Sequence, residues 1–222
     1  MTAWSGDDEL FALARRELFT CVVGDVMDKL CLFHQFLPPA IRPLNQEMVL
    51  IGRAMPAVSV DVFEGSAEKP FGLMLEALDD LRPHEVYLNT GSSPRSALWG
   101  ELMSTRAKNL GAAGAVLNGY VRDTKAILKL DFPTFCWGSY GQDAAPRYKV
   151  VDFRIPIEIG SVRVNPGDIL FGDVDGVLAV PKEAEAEIFS KAIEKARGEK
   201  LVKTALEGGS SAVAAFEKYG IM

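Results

Sequence analysis

Three charged residues and one helix start carry the chemistry that this sequence suggests. Glu101 follows Gly100 where apolar residues begin to recur at helical spacing, and Arg122 and Asp123 come soon after the apolar segment 114–117. A helix followed by a buried strand returns the chain to the end of a sheet, so we expect the Arg-Asp pair near Glu101. An arginine fork, open helix amides and two carboxylates suit a small carboxylate ligand and a divalent cation. The alternative is an ordinary Arg-Asp turn beside a solvated glutamate.

Length and composition indicate an ordinary globular protein. The chain has 222 residues, of which 48% are hydrophobic and 24% charged, enough for a substantial core. The net charge of −6 argues against nucleic acid or an anionic membrane surface as partner, because both attract basic proteins. Three widely spaced cysteines and two histidines indicate a reduced protein without a tetrahedral zinc site. With no apolar run of membrane-spanning length and no signal peptide, we predict a soluble cytoplasmic protein.

Apolar periodicity predicts one α/β domain over residues 1–222, with its later strands mostly antiparallel and its helices outside. The predicted helices are 7–18, one capped by Thr20 that runs to Leu30, 71–81, the segment from Gly100 to Gly111, a long helix from Pro181, and a last one capped by Ser210 or Ser211 and ending at Tyr219. The predicted strands lie within 49–62, 85–89, 114–117 and 133–137, and as alternating stretches within 148–180.

Two glycine-containing loops resemble ligand-binding loops in part, but neither matches a calcium-binding or phosphate-binding motif. Residues 172–176 carry two aspartates in the spacing of a calcium loop, but the remaining ligands are missing, so a tight hairpin is predicted. Residues 111–114 follow a helix, whereas a phosphate-binding loop follows a strand, so a helix end is predicted there. A nicotinamide or flavin enzyme of the doubly wound type is therefore not expected.

Several segments together resemble the 4-hydroxy-4-methyl-2-oxoglutarate aldolase family. The similar segments are 24–30, 97–103, 111–114, 121–123, 166–168 and 172–176, which spread over most of the chain. That family shares its fold with the regulator of ribonuclease activity A, and its members are often mislabelled as demethylmenaquinone methyltransferases. The resemblance implies a swivelling β/β/α fold with a mixed, mostly antiparallel β core. A methyltransferase is the weakest option, because no glycine loop for S-adenosylmethionine follows a first strand.

The resemblance also implies roles for individual residues. In the metal-dependent members, the Asp of the Arg-Asp pair binds Mg²⁺ or Mn²⁺ partly through water, and the Arg holds the pyruvyl part of the substrate. These roles fall on Asp123 and Arg122. Backbone amides at the helix start hold the substrate carboxylate, a role that falls on Gly100, Glu101, Leu102 and Met103. The expected activity is cleavage of 4-hydroxy-2-oxo acids to pyruvate, with oxaloacetate decarboxylation as a side activity.

Glu101 departs from the family pattern, because the characterised aldolases usually have aspartate there. The extra methylene changes which water or proton the carboxylate can reach. Two alternatives therefore stay open beside the aldolase. One is a non-catalytic regulator of a ribonuclease complex, although the presence of Asp123 argues for an enzyme. The other is a metal-dependent decarboxylase, dehydratase or isomerase that acts on a sugar-derived acid at the same site.

The resemblance finally implies a homotrimer, or a hexamer of trimers, with active sites between subunits. A carboxylate from the C-terminal region of the neighbouring subunit completes each site in the family. In this chain the counterpart falls between Glu199 and Glu207. Glu207 is the better candidate, because it stands where a helix ends at two glycines, but a solvated helix face is the alternative for either glutamate.

Overall fold

The computed structural model describes residues 4–63 and 69–221 and confirms the α/β class. The helices are α1 (Asp7–Glu17), α2 (Thr20–Lys29), α3 (Met74–Asp79), α4 (Glu101–Asn109), α5 (Thr124–Leu130), α6 (Glu185–Glu207) and α7 (Ala212–Tyr219). The strands are β1 (Arg42–Pro43), β2 (Leu50–Asp61), β3 (Glu85–Thr90), β4 (Ala97–Trp99), β5 (Gly114–Leu117), β6 (Tyr120–Val121), β7 (Thr134–Cys136), β8 (Tyr148–Phe153), β9 (Ile157–Ile159), β10 (Val162–Val164), β11 (Ile169–Asp173) and β12 (Gly176–Val180).

The chain divides into two compact units, of which one comprises residues 1–33 and 183–222 and the other residues 34–182. The first unit contains α1, α2, α6 and α7. The Arg197 guanidinium lies 2.8 Å from the Glu17 carboxylate and joins α6 to α1, and Lys195 bonds Asp25 of α2 at 2.6 Å. A single domain over residues 1–222 stays a prediction.

A mixed sheet forms the frame of the larger unit. Its order is β1-β7-β5-β3-β2-β11-β12, with β8 also paired to β2. Strands β2, β3, β5 and β7 run parallel, and β1, β8 and β11 pair with members of this group antiparallel. Strand β12 pairs antiparallel with β11. Because β1 also approaches β11 and β12, the sheet curls into a nearly closed barrel. The antiparallel pairing of the later strands was predicted, whereas the parallel group was not. Parallel strands need crossover connections, usually helices, so the helices between these strands are consistent with parallel pairing.

Alternate residues of the central strands enter two separate cores. Tyr87 of β3 and Ala115 of β5 pack with residues of α3, α4 and α5 on one face. Val86 and Val116, the neighbours of those residues in sequence, pack on the other face with the β9–β10 hairpin. The two faces explain why β3 and β5 are buried along their whole length, since helices cover one side and a hairpin the other.

Three predicted helix starts are wrong by one to four residues, and one of these is the helix predicted over 71–81, which begins at Met74. Thr20 is the first residue of α2, and Phe19 occupies the cap position. The long helix begins at Glu185 instead of Pro181, because the amide of Lys182 donates to the buried Asp168 carboxylate at 3.0 Å and holds this segment in a turn. Ser211 caps α7, as one of the two predicted alternatives, and residues 172–176 form the predicted hairpin.

None of the helices in the described part of the chain is both long and apolar enough to cross a membrane.

A partly buried ion pair fixes the start of β3 in the larger unit. Both terminal nitrogens of Arg154 donate to the Glu85 carboxylate, at 2.7 and 2.8 Å, and the guanidinium also bonds the Asp80 carboxylate. The Glu85 and Arg154 side chains are only 12% and 24% exposed. The two carboxylates raise the pKa of Arg154 above its usual range, against the effect of burial.

We expect Glu85→Gln to lower the free energy of unfolding by about 2 kcal/mol, because it leaves a partly buried guanidinium without its bidentate partner. Urea unfolding measures the change. Glu76→Gln is the matched control, since Glu76 meets Lys69 at 3.4 Å in an exposed pair and should lose no more than about 0.5 kcal/mol. Equal losses in the two variants would contradict the structural role of Glu85.

Candidate functional site

The candidate site lies where two short parallel strands end. β4 leads directly into α4, and β6 leads into Arg122, Asp123 and α5. The two strands pair in parallel, and the amide of Arg122 donates to the carbonyl of Trp99 at 2.9 Å. Parallel strands end at the same edge, so the start of α4 and the Arg-Asp pair come side by side. From the sequence, Arg122 and Asp123 were expected just beyond β5, and the separate two-stranded sheet of β4 and β6 was not predicted.

The start of α4 is open toward Asp123. Its cap residue is Gly100, so no side chain caps the first amides of the helix. The Glu101 amide instead donates to Oδ2 of Asp123 at 3.3 Å. A Cβ at position 100 would come within 2.9 Å of the same oxygen and within 3.4 Å of Cγ of Arg122. A larger residue at position 100 would displace the Asp123 carboxylate, so glycine favours this close approach between the helix start and the Arg-Asp pair.

Asp123 has a backbone conformation that is uncommon for residues other than glycine. Its φ of 57° lies in the left-handed region, which aspartate tolerates better than most residues. Asp123 occupies the cap position of α5, yet its side chain forms no capping bond to that helix. The carboxylate instead accepts a hydrogen bond from the Glu101 amide of α4. It is therefore directed toward the site and away from its own helix.

Arg122 lies between two carboxylates. Its Nη1 is 3.0 Å from Oδ1 of Asp143, and its Nε is 3.7 Å from Oδ2 of Asp123. The three side chains are 39–45% exposed, so solvent and a small ligand reach them. Asp143 was not predicted from the sequence, because an acidic residue in a loop has no pattern that distinguishes it from a solvated one.

A hydrogen-bonded chain of buried groups fixes the α4 start from behind. Nε1 of Trp99 donates to Oγ of Ser104 at 2.6 Å, and that hydroxyl donates to the Gly100 carbonyl at 3.0 Å. The buried Tyr148 hydroxyl donates to the Leu98 carbonyl at 3.1 Å. Burial raises the pKa of Tyr148, and nearby Tyr87 and Asp143 raise it further, so this hydroxyl stays neutral. The backbone of β4 is thus held rigidly at the site.

A cavity of about 230 Å³ opens at these groups. Arg122, Asp123 and Asp143 line it together with Gly100 and Tyr148. The other lining residues have apolar side chains and come mainly from α3, β4 and α4: Phe71, Met74, Leu75, Leu78, Ala97, Leu98, Trp99, Leu102, Met103 and Ala144. The cavity therefore combines a compact charged group with a larger apolar wall, which is typical of sites for small organic acids.

The remaining predicted site residues take different places. Leu102 and Met103 line the cavity beside Gly100. Glu101 contributes its amide, whereas its side chain is exposed and has no partner among residues 4–63 and 69–221. Glu207 lies at the end of α6 in the other compact unit, where its carboxylate is 3.8 Å from Lys203. A role for Glu207 in a neighbouring subunit stays a prediction.

The carboxylates of the site fit only a loosely held cation. No group of three or more His, Cys, Asp or Glu side chains in the described ranges is arranged to hold a metal ion. Mg²⁺ keeps several water ligands and commonly binds through one or two carboxylates together with the substrate. Asp123, half-exposed at the cavity, fits that pattern; a closed protein cage for a metal does not fit these residues.

The thiol of Cys136 on β7 is poorly suited to act as a nucleophile. Cys136 is buried, and burial raises the pKa of its thiol to about 11. The nucleophilic thiolate is therefore scarce at neutral pH.

Comparisons with known proteins agree with this architecture. A family model described as RraA-like: Aldolase/RraA matches residues 20–179. A Halalkalibacterium halodurans protein named "Putative 4-hydroxy-4-methyl-2-oxoglutarate aldolase" is 30% identical over 90% of this chain and 90% of its own length. Protein DlpA of Legionella pneumophila is 31% identical over 81% of this chain, but the match spans only 29% of DlpA.

A solved structure has the same fold. Streptomyces coelicolor RraAS2, described as an unusual member of the RNase ES inhibitor RraA protein family, superposes with a TM-score of 0.78. The superposition covers 90% of this chain and 98% of that one at 22% identity. The fold expected from the sequence resemblance is thereby confirmed.

We expect Gly100→Ala to weaken binding of pyruvate about tenfold, because the added methyl group displaces the Asp123 carboxylate and the base of the Arg122 side chain. Isothermal titration calorimetry measures the affinity. Gly141→Ala is the control, since a Cβ there meets no atom within 4 Å. Unchanged pyruvate affinity in a folded Gly100→Ala protein would show that this close approach is not part of the binding site.

Proposed function

This chain belongs to the RraA-like family, and we propose that it is a metal-dependent carbon–carbon lyase that releases pyruvate from 4-hydroxy-2-oxo acids. One observation carries the proposal. Arg122 and Asp123 lie together at the uncapped start of α4, inside a cavity of the size of a small organic acid. Relatives named as aldolases support lyase chemistry on this scaffold.

The polar part of the cavity suits the 2-oxo acid end of such a substrate. The first amides of a helix point outward and carry positive partial charge, so they bind a carboxylate. At α4 these amides include those of Leu102 and Met103 beside Arg122. A guanidinium offers several donors in one plane, so Arg122 binds a second oxygen of the ligand while Nη1 remains on Asp143.

Asp123 is the residue that we assign to the metal. Its carboxylate is already oriented by the Glu101 amide, and it lines the cavity beside Arg122. A bound Mg²⁺ or Mn²⁺ would supply positive charge that polarises the substrate ketone. Asp143 holds Arg122 from the opposite side, so the guanidinium stays in place when the ligand leaves.

Cleavage needs a stabilised carbanion, and Arg122 serves this purpose. The 4-hydroxyl group loses its proton, the bond between C3 and C4 breaks, and its electron pair delocalises into an enolate of pyruvate. The positive charge of Arg122 stabilises the enolate oxygen in a site with an apolar wall. The enolate then takes a proton at C3 to give pyruvate. Loss of carbon dioxide from oxaloacetate leaves the same enolate, which explains the proposed side activity.

Glu101 is proposed as the group that exchanges the proton with the substrate through water. Its side chain is solvent-exposed at the first residue of α4, so it reaches the cavity only through such an intermediary. Should the native reaction instead be decarboxylation, dehydration or isomerisation of a sugar-derived acid, Glu101→Asp would create aldolase activity that the parent protein lacks. Aldolase activity already present in the parent contradicts that alternative.

The proposal is tested by pyruvate release from 4-hydroxy-2-oxo acids and oxaloacetate, measured with Mg²⁺, with Mn²⁺ and with excess chelator. We expect metal-dependent turnover that Asp123→Ala abolishes. Arg122→Lys keeps the charge but loses the planar fork, so it should lose most of the activity, on the order of a hundredfold. Asp131→Asn, on an exposed helix end outside the cavity lining, is the control.

Full activity of Asp123→Ala or in chelator would refute the assignment. No turnover of any 2-oxo acid, together with specific capture of a ribonuclease complex, would favour the regulator alternative instead. The proposed trimer or hexamer, with Glu207 completing a neighbouring site, is refuted by an active monomer in sedimentation.

A further inference from the structure

We propose that the half of the substrate released together with pyruvate is apolar, so that the preferred 4-hydroxy-2-oxo acids carry one carboxylate and an alkyl tail. This inference rests on the proposed function and names the substrate class of the same site. It differs from what the names of the relatives suggest, because 2-oxoglutarate derivatives carry a second carboxylate.

Apolar side chains form one wall of the cavity. Met74 and Leu78 of α3 are buried against the core and form its base. Leu75 of α3 and Leu102 of α4 stand at its exposed side, with 54% and 81% of their surface accessible. Two exposed leucines that line the same cavity are a surface that an alkyl group would cover, and burial of apolar surface favours binding.

Within residues 4–63 and 69–221, the charged side chains that line the cavity leave no partner for a second carboxylate on the substrate. Arg122 is the one cationic side chain among the described residues that line the cavity, and Asp123 and Asp143 both line it as well. Arg122 is already shared between Asp143 and the 2-oxo acid end of the substrate. A second carboxylate would lie against leucine and methionine side chains without a counter-charge. Such a group loses hydration with no compensating partner.

Two pairs of isosteric acids test the inference. 2-Oxo-5-methylhexanoate and 2-oxoglutarate differ only in an isopropyl group replacing the second carboxylate, and neither has a hydroxyl at C4 to allow cleavage. We expect the first to bind at least tenfold more tightly by calorimetry. For turnover, 4-hydroxy-5-methyl-2-oxohexanoate should exceed 4-hydroxy-2-oxoglutarate in kcat/KM by a similar factor. Each methylene added to a short linear tail should raise kcat/KM about fourfold until the wall is filled.

A charge placed on the wall should reverse the preference. Leu75→Arg adds a cation beside the predicted tail. The affinity for 2-oxo-5-methylhexanoate relative to that for 2-oxoglutarate should therefore fall at least tenfold. Val174→Arg is the control, because Val174 is 46% exposed in the turn between β11 and β12 and lies outside the cavity lining. Tighter binding of 2-oxoglutarate by the parent protein would overturn the inference while leaving the lyase proposal intact. Tight binding of the isopropyl acid without any pyruvate release would refute the lyase and keep the apolar site.

Discussion

Two short strands, β4 and β6, run parallel and both end where the chain turns into a helix. This pairing is the constraint on which the site depends, because it places the start of α4 against Arg122 and Asp123 although Arg122 follows Glu101 by 21 positions in sequence. Gly100, at the junction of β4 and α4, has no Cβ that would displace the Asp123 carboxylate. The relative position of the helix start and the Arg-Asp pair follows from the pairing of the two strands.

The positions of the charged groups follow from the same constraint. Asp123 accepts the Glu101 amide and leaves α5 without a side-chain cap, and it adopts the left-handed conformation. Departures of this kind from local preference are typical of functional sites, where the surrounding structure holds a residue in place. Here the buried chain from Trp99 through Ser104 to the Gly100 carbonyl provides that support.

The sequence predicted some of these features well and others poorly, for physical reasons. The buried strand 114–117 and the helix from Gly100 to Gly111 were predictable, because periodicity and a glycine stop are local signals. The pairing of β4 with β6 was not, since strands of two or three residues carry no periodic pattern. Asp143 was missed because its role depends on a contact with Arg122 across 21 positions of the chain.

The apolar wall shows why a shared family does not determine the substrate. The groups proposed to hold a 2-oxo acid come from the β4–β6 edge, whereas much of the wall comes from α3, a separate helix between β2 and β3. Helix α3 packs on the sheet through Met74, Ala77 and Leu78, so its exposed residue Leu75 can change without disturbing that packing. In the proposed site, binding of the pyruvyl half and selection of the other half thus fall on different elements, and the second can vary while the first is retained.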